Sequence, residues 1–130
     1  MTPYFAAYKE EPNNFYAERM AIPEIKMEIR ERKKDDPLME AKNQIEMMLP
    51  FLNGKFINLP EFIKIDGAKA LRYSVRYKED GNIGEVVKSV YKIIHHQKEF
   101  SLELLTRTEG FEDNNLQFKN VIDSIKWIKN

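Results

Sequence analysis

The chain has 130 residues, of which 42% are apolar and 32% are charged, and 21 Lys and Arg balance 21 Asp and Glu. This length suits a single domain, residues 1–130, with one hydrophobic core. A nucleic-acid-binding domain usually carries a basic surplus, so the balanced charge argues against that class. The sequence has no cysteine, which excludes disulfides, thiolate zinc sites and cysteine nucleophiles.

Targeting signals are also missing from the sequence as written. No stretch approaches the ~20 apolar residues of a membrane span. Pro3, Pro12, Pro23 and several charges interrupt the start of the chain, so it lacks the apolar run of a signal peptide. The sequence therefore predicts a cytoplasmic protein, or an exported or lipid-anchored one if a leader has been removed.

The N-terminal segment, residues 1–22, has no clear pattern, although residues 15–21 fit a short strand. After Pro23, the apolar residues Ile25, Met27 and Ile29 alternate with charged ones. This period of two predicts a half-buried strand over 24–34. A helix is the alternative there, because Glu, Lys, Arg and Met are good helix formers.

A helix is predicted to begin at Pro37, because Asp35 and Asp36 supply an acidic N-cap and proline suits the first helical position. It should end near Pro50 and Asn53-Gly54. The apolar stripe of this helix comprises Leu38, Ala41, Ile45, Met48, Leu49 and Leu52. The methionines at 39, 47 and 48 could form an adaptable binding surface, but the spacing favours core packing.

Consecutive hairpins follow the helix. Pro60 indicates that the first part of the next segment is not a central strand. Asp66-Gly67 predicts a tight turn. After that turn, one face carries Leu71, Tyr73, Val75 and Tyr77, and the other carries Arg72, Ser74 and Arg76. A turn is expected at Asp80-Gly81-Asn82. The next strand, 86–94, is apolar on both faces, as expected of a central strand.

The last segments are predicted to be a strand and a closing helix. After a turn at Gln97-Lys98, Phe100, Leu102 and Leu104 alternate with polar residues. Gly110 and the run 113–115 are expected to cap the helix. Its buried stripe comprises Leu116, Phe118, Val121, Ile122, Ile125 and Ile128, with Trp127 holding the C-terminal turn. Hairpins between two helices predict an α+β fold on an antiparallel sheet.

The residues give no catalytic, cofactor-binding or metal site. His95 and His96 are neighbours on a predicted strand, so they should face opposite ways and cannot bind one metal together. For this histidine pair, we expect one residue in an exposed turn beside one that is half-buried. Asp35, Asp36 and Asp113 are expected to be helix caps, and Glu109, Glu112 and Asp113 a solvated loop with weak calcium binding as the alternative. Four serines lack a plausible base in the sequence: Ser74, Ser89, Ser101 and Ser124.

The arginines and tyrosines at 72–77 could stack single-stranded bases. Alternation places Arg72 and Arg76 on the face opposite Tyr73 and Tyr77, which favours core tyrosines and a charged outer face. The tract KMEIRERKKDD has acids that offset its bases. It is expected to be the charged face of a strand that leads into a loop.

Several of these segments together resemble the PsbP/Mog/DcrB-like superfamily, in particular its bacterial DcrB-like or lipoprotein-type members. The similar stretches are IDGAKALRYSVRY, VYKII, FSLELLTRTEGFEDN and FKNVIDSIKW, within residues 36–129. The opening of that family, a strand that ends in a P.gW turn, is missing: Ala21-Ile22-Pro23-Glu24 has no tryptophan.

The resemblance implies a three-layer fold, with an antiparallel sheet between helices, and members that bind rather than catalyse. They include photosystem extrinsic subunits, envelope lipoproteins and secretion-effector chaperones. No shared catalytic residues exist to carry over. The expected function is a non-enzymatic accessory domain that binds a protein partner, with a homodimer as one form. The alternatives are a small-molecule or lipid carrier with an apolar pocket, and an enzyme whose site the motifs do not reveal.

Overall fold

A computed structural model describes residues 24–32, 35–79 and 84–128. The elements are β1 (Glu24–Glu31), α1 (Pro37–Met48), β2 (Lys55–Ile65), β3 (Ala68–Glu79), β4 (Gly84–His95), β5 (Lys98–Arg107) and α2 (Phe111–Asp123). Short 3-10 helices follow α1 at Leu49–Leu52 and precede α2 at Thr108–Gly110. The expectations for residues 1–22 and for the turn at 80–82 lie outside the described residues.

The five strands form one antiparallel sheet in the order β1-β5-β4-β3-β2. Helices α1 and α2 cover opposite faces of this sheet, because they pack against alternate residues of the same strands. The predicted α+β fold, with an antiparallel sheet between helices, is confirmed. The strand predicted at 24–34 is observed as β1, which ends at Glu31, so the helical alternative is wrong for this part; the strand is mostly exposed rather than half-buried.

Two hydrophobic cores result from this arrangement, one on each face of the sheet. On the α1 side, Leu38 and Leu49 pack against Leu71, Tyr73, Val75 and Val90. On the α2 side, Phe118 and Ile122 pack against residues that include Ala70, Tyr91, Ile93 and Leu104. Strand β4 contributes to both cores, since successive residues of a strand point to opposite faces. Its apolar character on both faces, which indicated a central strand, is thereby explained.

The predicted local signals at the start of α1 and at the β2–β3 turn have the expected geometry. The Oδ1 atom of Asp36 accepts from the backbone N–H of Met39 at 3.1 Å, which caps α1. Asp66 and Gly67 both have positive φ angles, 48° and 84°, as a tight hairpin turn requires. These two features were recognisable because each depends on residues that are adjacent in the sequence.

Three predictions about the helices are wrong in whole or in part. The methionines of α1 do not enter the core: the exposed fractions of Met39, Met47 and Met48 are 42%, 66% and 53%. Helix α2 begins at Phe111 and ends at Asp123, so the run 113–115 lies inside its first turns and does not cap it. Of the apolar stripe predicted for α2, three members are exposed: Leu116, Val121 and Ile128.

Candidate functional site

A polar cleft of about 570 Å³ lies between strand β2 and helix α2. Strand β2 opens it, because its register with β3 shifts twice, between Phe56 and Asn58 and between Asn58 and Glu61. Such irregularities bend a strand and redirect its side chains. The segment 58–61 therefore forms one wall of this α2 cleft, while residues of β3, β4 and α2 form its floor and its other wall.

A chain of three polar side chains crosses the floor of the α2 cleft. Ser74 and Ser89 are buried, and their Oγ atoms lie 2.9 Å apart. Ser89 Oγ donates to Asn115 Oδ1 at 2.7 Å. Since Ser89 uses its only proton there, Ser74 must donate to Ser89. The side-chain amide N–H groups of Asn115 are then left to donate to other acceptors.

Charged groups and a tyrosine lie beside this chain. The Arg72 guanidinium donates through Nε and Nη2 to Glu61 Oε1, with the Nε distance at 3.0 Å. This bond with Glu61 raises the pKa of Arg72. Burial raises the pKa of Tyr91, which also interacts with Arg72. Lys119 of α2 lines the same cleft and, together with Arg72 and Tyr91, a smaller neighbouring one of about 330 Å³.

The α2 cleft is suited to hydrogen bonding rather than to nucleophilic catalysis. Ser89 donates to an amide oxygen, which cannot accept a proton as a general base does. Glu61, the carboxylate in the cleft lining, is held by Arg72. The arrangement can bind a polar group of a partner or ligand through donors on Asn115 and Lys119.

A second depression, the α1 groove, lies on the other face between α1 and strands β1, β4 and β5, and has a volume of about 650 Å³. Its lining mixes apolar residues such as Leu38, Ile45 and Ile94 with charged ones such as Glu28 and Arg30. Tyr73 lines it as well, and burial raises the pKa of Tyr73 to about 12.

One serine in the α1 groove lies next to a lysine. Lys92 Nζ donates to Ser101 Oγ at 3.2 Å. While it donates this proton, the ammonium group cannot act as a base for the hydroxyl. Ser124, near the end of α2, donates to the backbone carbonyl of Val121 at 2.6 Å. All four serines considered above, Ser74, Ser89, Ser101 and Ser124, therefore take part in hydrogen bonds within the fold.

Large apolar side chains are exposed along the connection from α1 into β2. Among the described residues, this stretch contains seven of them: Met47, Met48, Phe51, Leu52, Ile57, Leu59 and Phe62. Phe51 and Leu59 are the most exposed, at 84% and 73%. We call this set the 47–62 apolar surface. Extended exposed apolar surfaces on soluble proteins commonly mark interaction sites.

The two histidines do not lie as predicted relative to each other. His95 ends β4, but His96 lies in the β4–β5 turn with a positive φ of 55°, so strict strand alternation does not apply to it. Their ring centroids are 4.1 Å apart, and the prediction of opposite faces is wrong. The expectation of an exposed turn residue beside a half-buried one is confirmed.

The acidic residues have mixed outcomes. Asp36 caps α1 as predicted, whereas the backbone carbonyl of Asp35 accepts from Arg32 Nη2 at 2.7 Å. Asp113 lies within the first turn of α2, whose N-cap is Gly110. Glu109 pairs with Arg107 at 3.0 Å. Within residues 24–32, 35–79 and 84–128, no group of three or more His, Asp or Glu side chains could hold a metal ion.

The arginines and tyrosines of β3 lie on opposite faces of the sheet, as predicted. Tyr73 is buried on the α1 side, where it meets Phe56 edge-on, with ring centroids 6.5 Å apart. Arg72 lines the α2 cleft. The cleft itself was not predictable from the sequence, because its serines and Asn115 come from elements that are far apart in the chain.

Comparisons with known proteins give a fold but no family. No family model matches the sequence, and no curated protein matches it. The crystal structure of PA94, a Pseudomonas aeruginosa protein of unknown function, is similar, with a TM-score of 0.62 and 12% identity. The match covers 84% of this chain and 86% of that one. Within the described residues, no helix is long and apolar enough to cross a membrane. At this level of identity, the likeness shows that this chain and PA94 share a fold.

Proposed function

We propose that this protein is a non-enzymatic accessory domain that binds a protein partner through the 47–62 apolar surface. The observation that carries the proposal is the exposure of Phe51 and Leu59, at 84% and 73%. Aromatic residues and methionine are enriched at protein interfaces, where their burial supplies much of the binding energy.

The position of this surface supports the proposal. It includes the C-terminal end of α1 and both faces of the edge strand β2, since Phe62 pairs with Leu71 of the α1-side core whereas Leu59 lines the α2 cleft. A partner could therefore bury apolar side chains and also find hydrogen-bond donors at Asn115 and Lys119. This combination of an apolar centre and polar surroundings is typical of protein interfaces.

The experiment is affinity capture from a lysate of the source organism, with wild-type protein and two matched variants. Phe51→Ser removes an aromatic side chain from the surface, and Ile128→Ser makes a similar change at an equally exposed position outside it. We expect a stoichiometric partner to be captured by the wild type and by Ile128→Ser, and lost with Phe51→Ser. Equal capture by all three would contradict the proposed surface.

A second candidate function is transport of a small apolar molecule in the α1 groove. The volume of this groove, about 650 Å³, lies within the range of known small-molecule binding sites. Native mass spectrometry of the purified protein distinguishes the two functions. A bound molecule that is lost when Ile45, in the groove lining, is replaced by Glu would support the carrier. A protein free of bound small molecules would favour partner binding.

A further inference from the structure

Strand β1 forms one edge of the sheet, and in the described part of the chain only β5 pairs with it. Its register with β5 is unbroken over all eight residues, from Glu24 to Glu31. The opposite edge, β2, differs, because Pro60 and two register shifts interrupt it. Proline and bulges protect sheet edges from pairing with other strands. By this criterion β2 is protected and β1 is open.

The backbone groups of β1 that point away from β5 can be identified. The backbone N–H of Arg32 donates to the carbonyl of Gln97 at 2.7 Å, and this pair continues the β1–β5 register. Hydrogen-bonded and non-hydrogen-bonded pairs alternate along an antiparallel ladder. The even-numbered residues of β1 therefore bond to β5. The odd-numbered residues Ile25, Met27 and Ile29 direct their N–H and C=O groups outward.

We propose that a second copy of this chain pairs with β1 in antiparallel fashion about a two-fold axis at Met27, giving a continuous ten-stranded sheet. In this register, Met27 meets Met27 of the second copy, and Ile25 meets Ile29. Lys26 of each copy faces Glu28 of the other. The outward backbone groups of Ile25, Met27 and Ile29 then form the new hydrogen bonds.

The charges of Lys26 and Glu28 favour this register over the registers shifted by two residues. A slip of one residue would place the apolar side chains on the wrong face, so alternatives differ by two. A slip in one direction places Lys26 opposite Lys26, and in the other direction Glu28 opposite Glu28. Like charges directly opposite each other are destabilising, whereas opposite charges stabilise a strand pair. The register at Met27 also brings Glu24 opposite Arg30.

The side chains of β1 support the same arrangement. Met27 and Ile29 lie on the α2 side of the sheet and are half exposed, at 51% and 52%. In the dimer they would join Ile25 of the second copy in one apolar ladder. Lys26 makes no ion pair within the described residues. The Glu28–Arg30 contact, 3.6 Å along the same strand, joins two largely exposed side chains and leaves Glu28 accessible.

This inference goes beyond the proposed partner binding and does not depend on it, because β1 and β2 lie at opposite edges of the sheet. A β1 dimer would leave the 47–62 apolar surface open on both copies. It would also bring the two α1 grooves next to each other, since Glu28, Arg30 and Glu31 line them. Failure of one proposal therefore leaves the other untouched.

Charge exchange tests the register. Sedimentation velocity over a concentration series should show a wild-type dimer, and Lys26→Glu should weaken it about tenfold, because two attractive pairs become repulsive. The double variant Lys26→Glu/Glu28→Lys should restore the dimer. Lys64→Glu makes the same charge change on the opposite edge strand and should leave the dimer intact.

Cysteine crosslinking tests the position of the axis, and the absence of native cysteine makes the result specific. The two copies of residue 27 form a hydrogen-bonded pair with Cα atoms ~5.5 Å apart, within disulfide range. Met27→Cys should therefore form a covalent dimer under mild oxidation. Ile25→Cys is the matched control, because its two copies would lie ~14 Å apart and should not crosslink.

Three results would overturn the proposal. The first is a monomer at every concentration together with no crosslink from Met27→Cys. The second is a dimer that Lys64→Glu, rather than Lys26→Glu, disrupts, since this would place the contact at β2. The third is hydrogen exchange of the Met27 and Ile29 amides that is slow and independent of concentration, since the chain's own residues would then cover the edge.

Discussion

The indole ring of Trp127 stacks on the imidazole ring of His95, with centroids 4.1 Å apart and planes inclined by 15°. Two hydrogen bonds fix the tryptophan: Nε1 donates to the carbonyl of Ile65 at 2.9 Å, and its backbone N–H donates to Asp66 Oδ2 at 2.9 Å. The segment after α2 is thereby tied to the β2–β3 turn and to the end of β4. The predicted role of Trp127 in holding the C-terminal turn is confirmed.

Replacing Trp127 with Phe should lower the free energy of unfolding by about 1 kcal/mol, because the Ile65 carbonyl loses its donor while an aromatic ring is kept. Urea denaturation followed by circular dichroism measures the change. Ile128→Ala, at a position that is 84% exposed, is the control and should have little effect. An equal loss in both variants would show that the indole N–H contributes nothing specific.

The stability and fluorescence of the protein should depend on the protonation of His95. Burial, and then the nearby His96, lower the pKa of His95, while Asp66 acts in the opposite direction. The folded state therefore disfavours the imidazolium. This contribution to stability is complete above the unfolded pKa, near 6.5, and is lost as pH falls through the lower folded value.

Trp127 reports the titration directly, because it is the only tryptophan and protonated imidazole quenches indole fluorescence. As the pH is lowered, the Trp127 fluorescence should fall, and the midpoint of this change should lie below pH 6.5. His96→Asn should raise that midpoint, since it removes a neighbouring positive charge, and Asn tolerates the left-handed backbone at this position. A midpoint above 6.5 in the wild type would contradict the burial of His95.

Ser89→Ala should destabilise the protein by about 2 kcal/mol, because it leaves both Ser74 and the Asn115 oxygen without their partner. Ser74→Ala should cost less, because Ser89 can still donate to Asn115. Thermal or urea unfolding of the two variants measures the difference. Equal losses would indicate that the hydrogen bonds do not run in the direction from Ser74 to Asn115.

Asp36→Ala should lower the free energy of unfolding by about 1 kcal/mol, because the N–H of Met39 loses its acceptor at the start of α1. Asp36→Asn keeps a capping oxygen and is the matched control, with a smaller expected loss. Equilibrium urea denaturation tests both variants. A full loss in the Asn variant would mean that charge rather than capping matters at this position.

The sheet could be predicted because its signals are local and repeat along each strand. The alternation in β3 and β5, the two-sided apolar pattern of β4 and the Asp66-Gly67 turn each depend on neighbouring residues. The turn predicted at Gln97-Lys98 lies one residue earlier, at His96-Gln97, because His96 takes up the left-handed conformation.

The start of α2 was predicted only in part: Gly110 is the N-cap, but the two asparagines of the run 113–115 bond to the sheet instead of capping the helix. The amide of Asn114 donates to Thr106 Oγ1 at 3.1 Å, and Asn115 accepts from Ser89. These tertiary hydrogen bonds outweigh the local tendency of Asn to end a loop. The α2 cleft was missed for the same reason, since it depends on contacts between Ser74, Ser89 and Asn115.

The two cores on opposite faces of the sheet share two strands, β3 and β4, and we expect cooperative unfolding to depend on both. Val90 belongs to the α1-side core, and the next residue, Tyr91, belongs to the α2-side core. Any displacement of β4 along its neighbours would disrupt both cores at once, whereas either helix could loosen with the loss of only one. The two halves of the hydrophobic interior are therefore coupled through the backbones of β3 and β4, although the sheet keeps them apart.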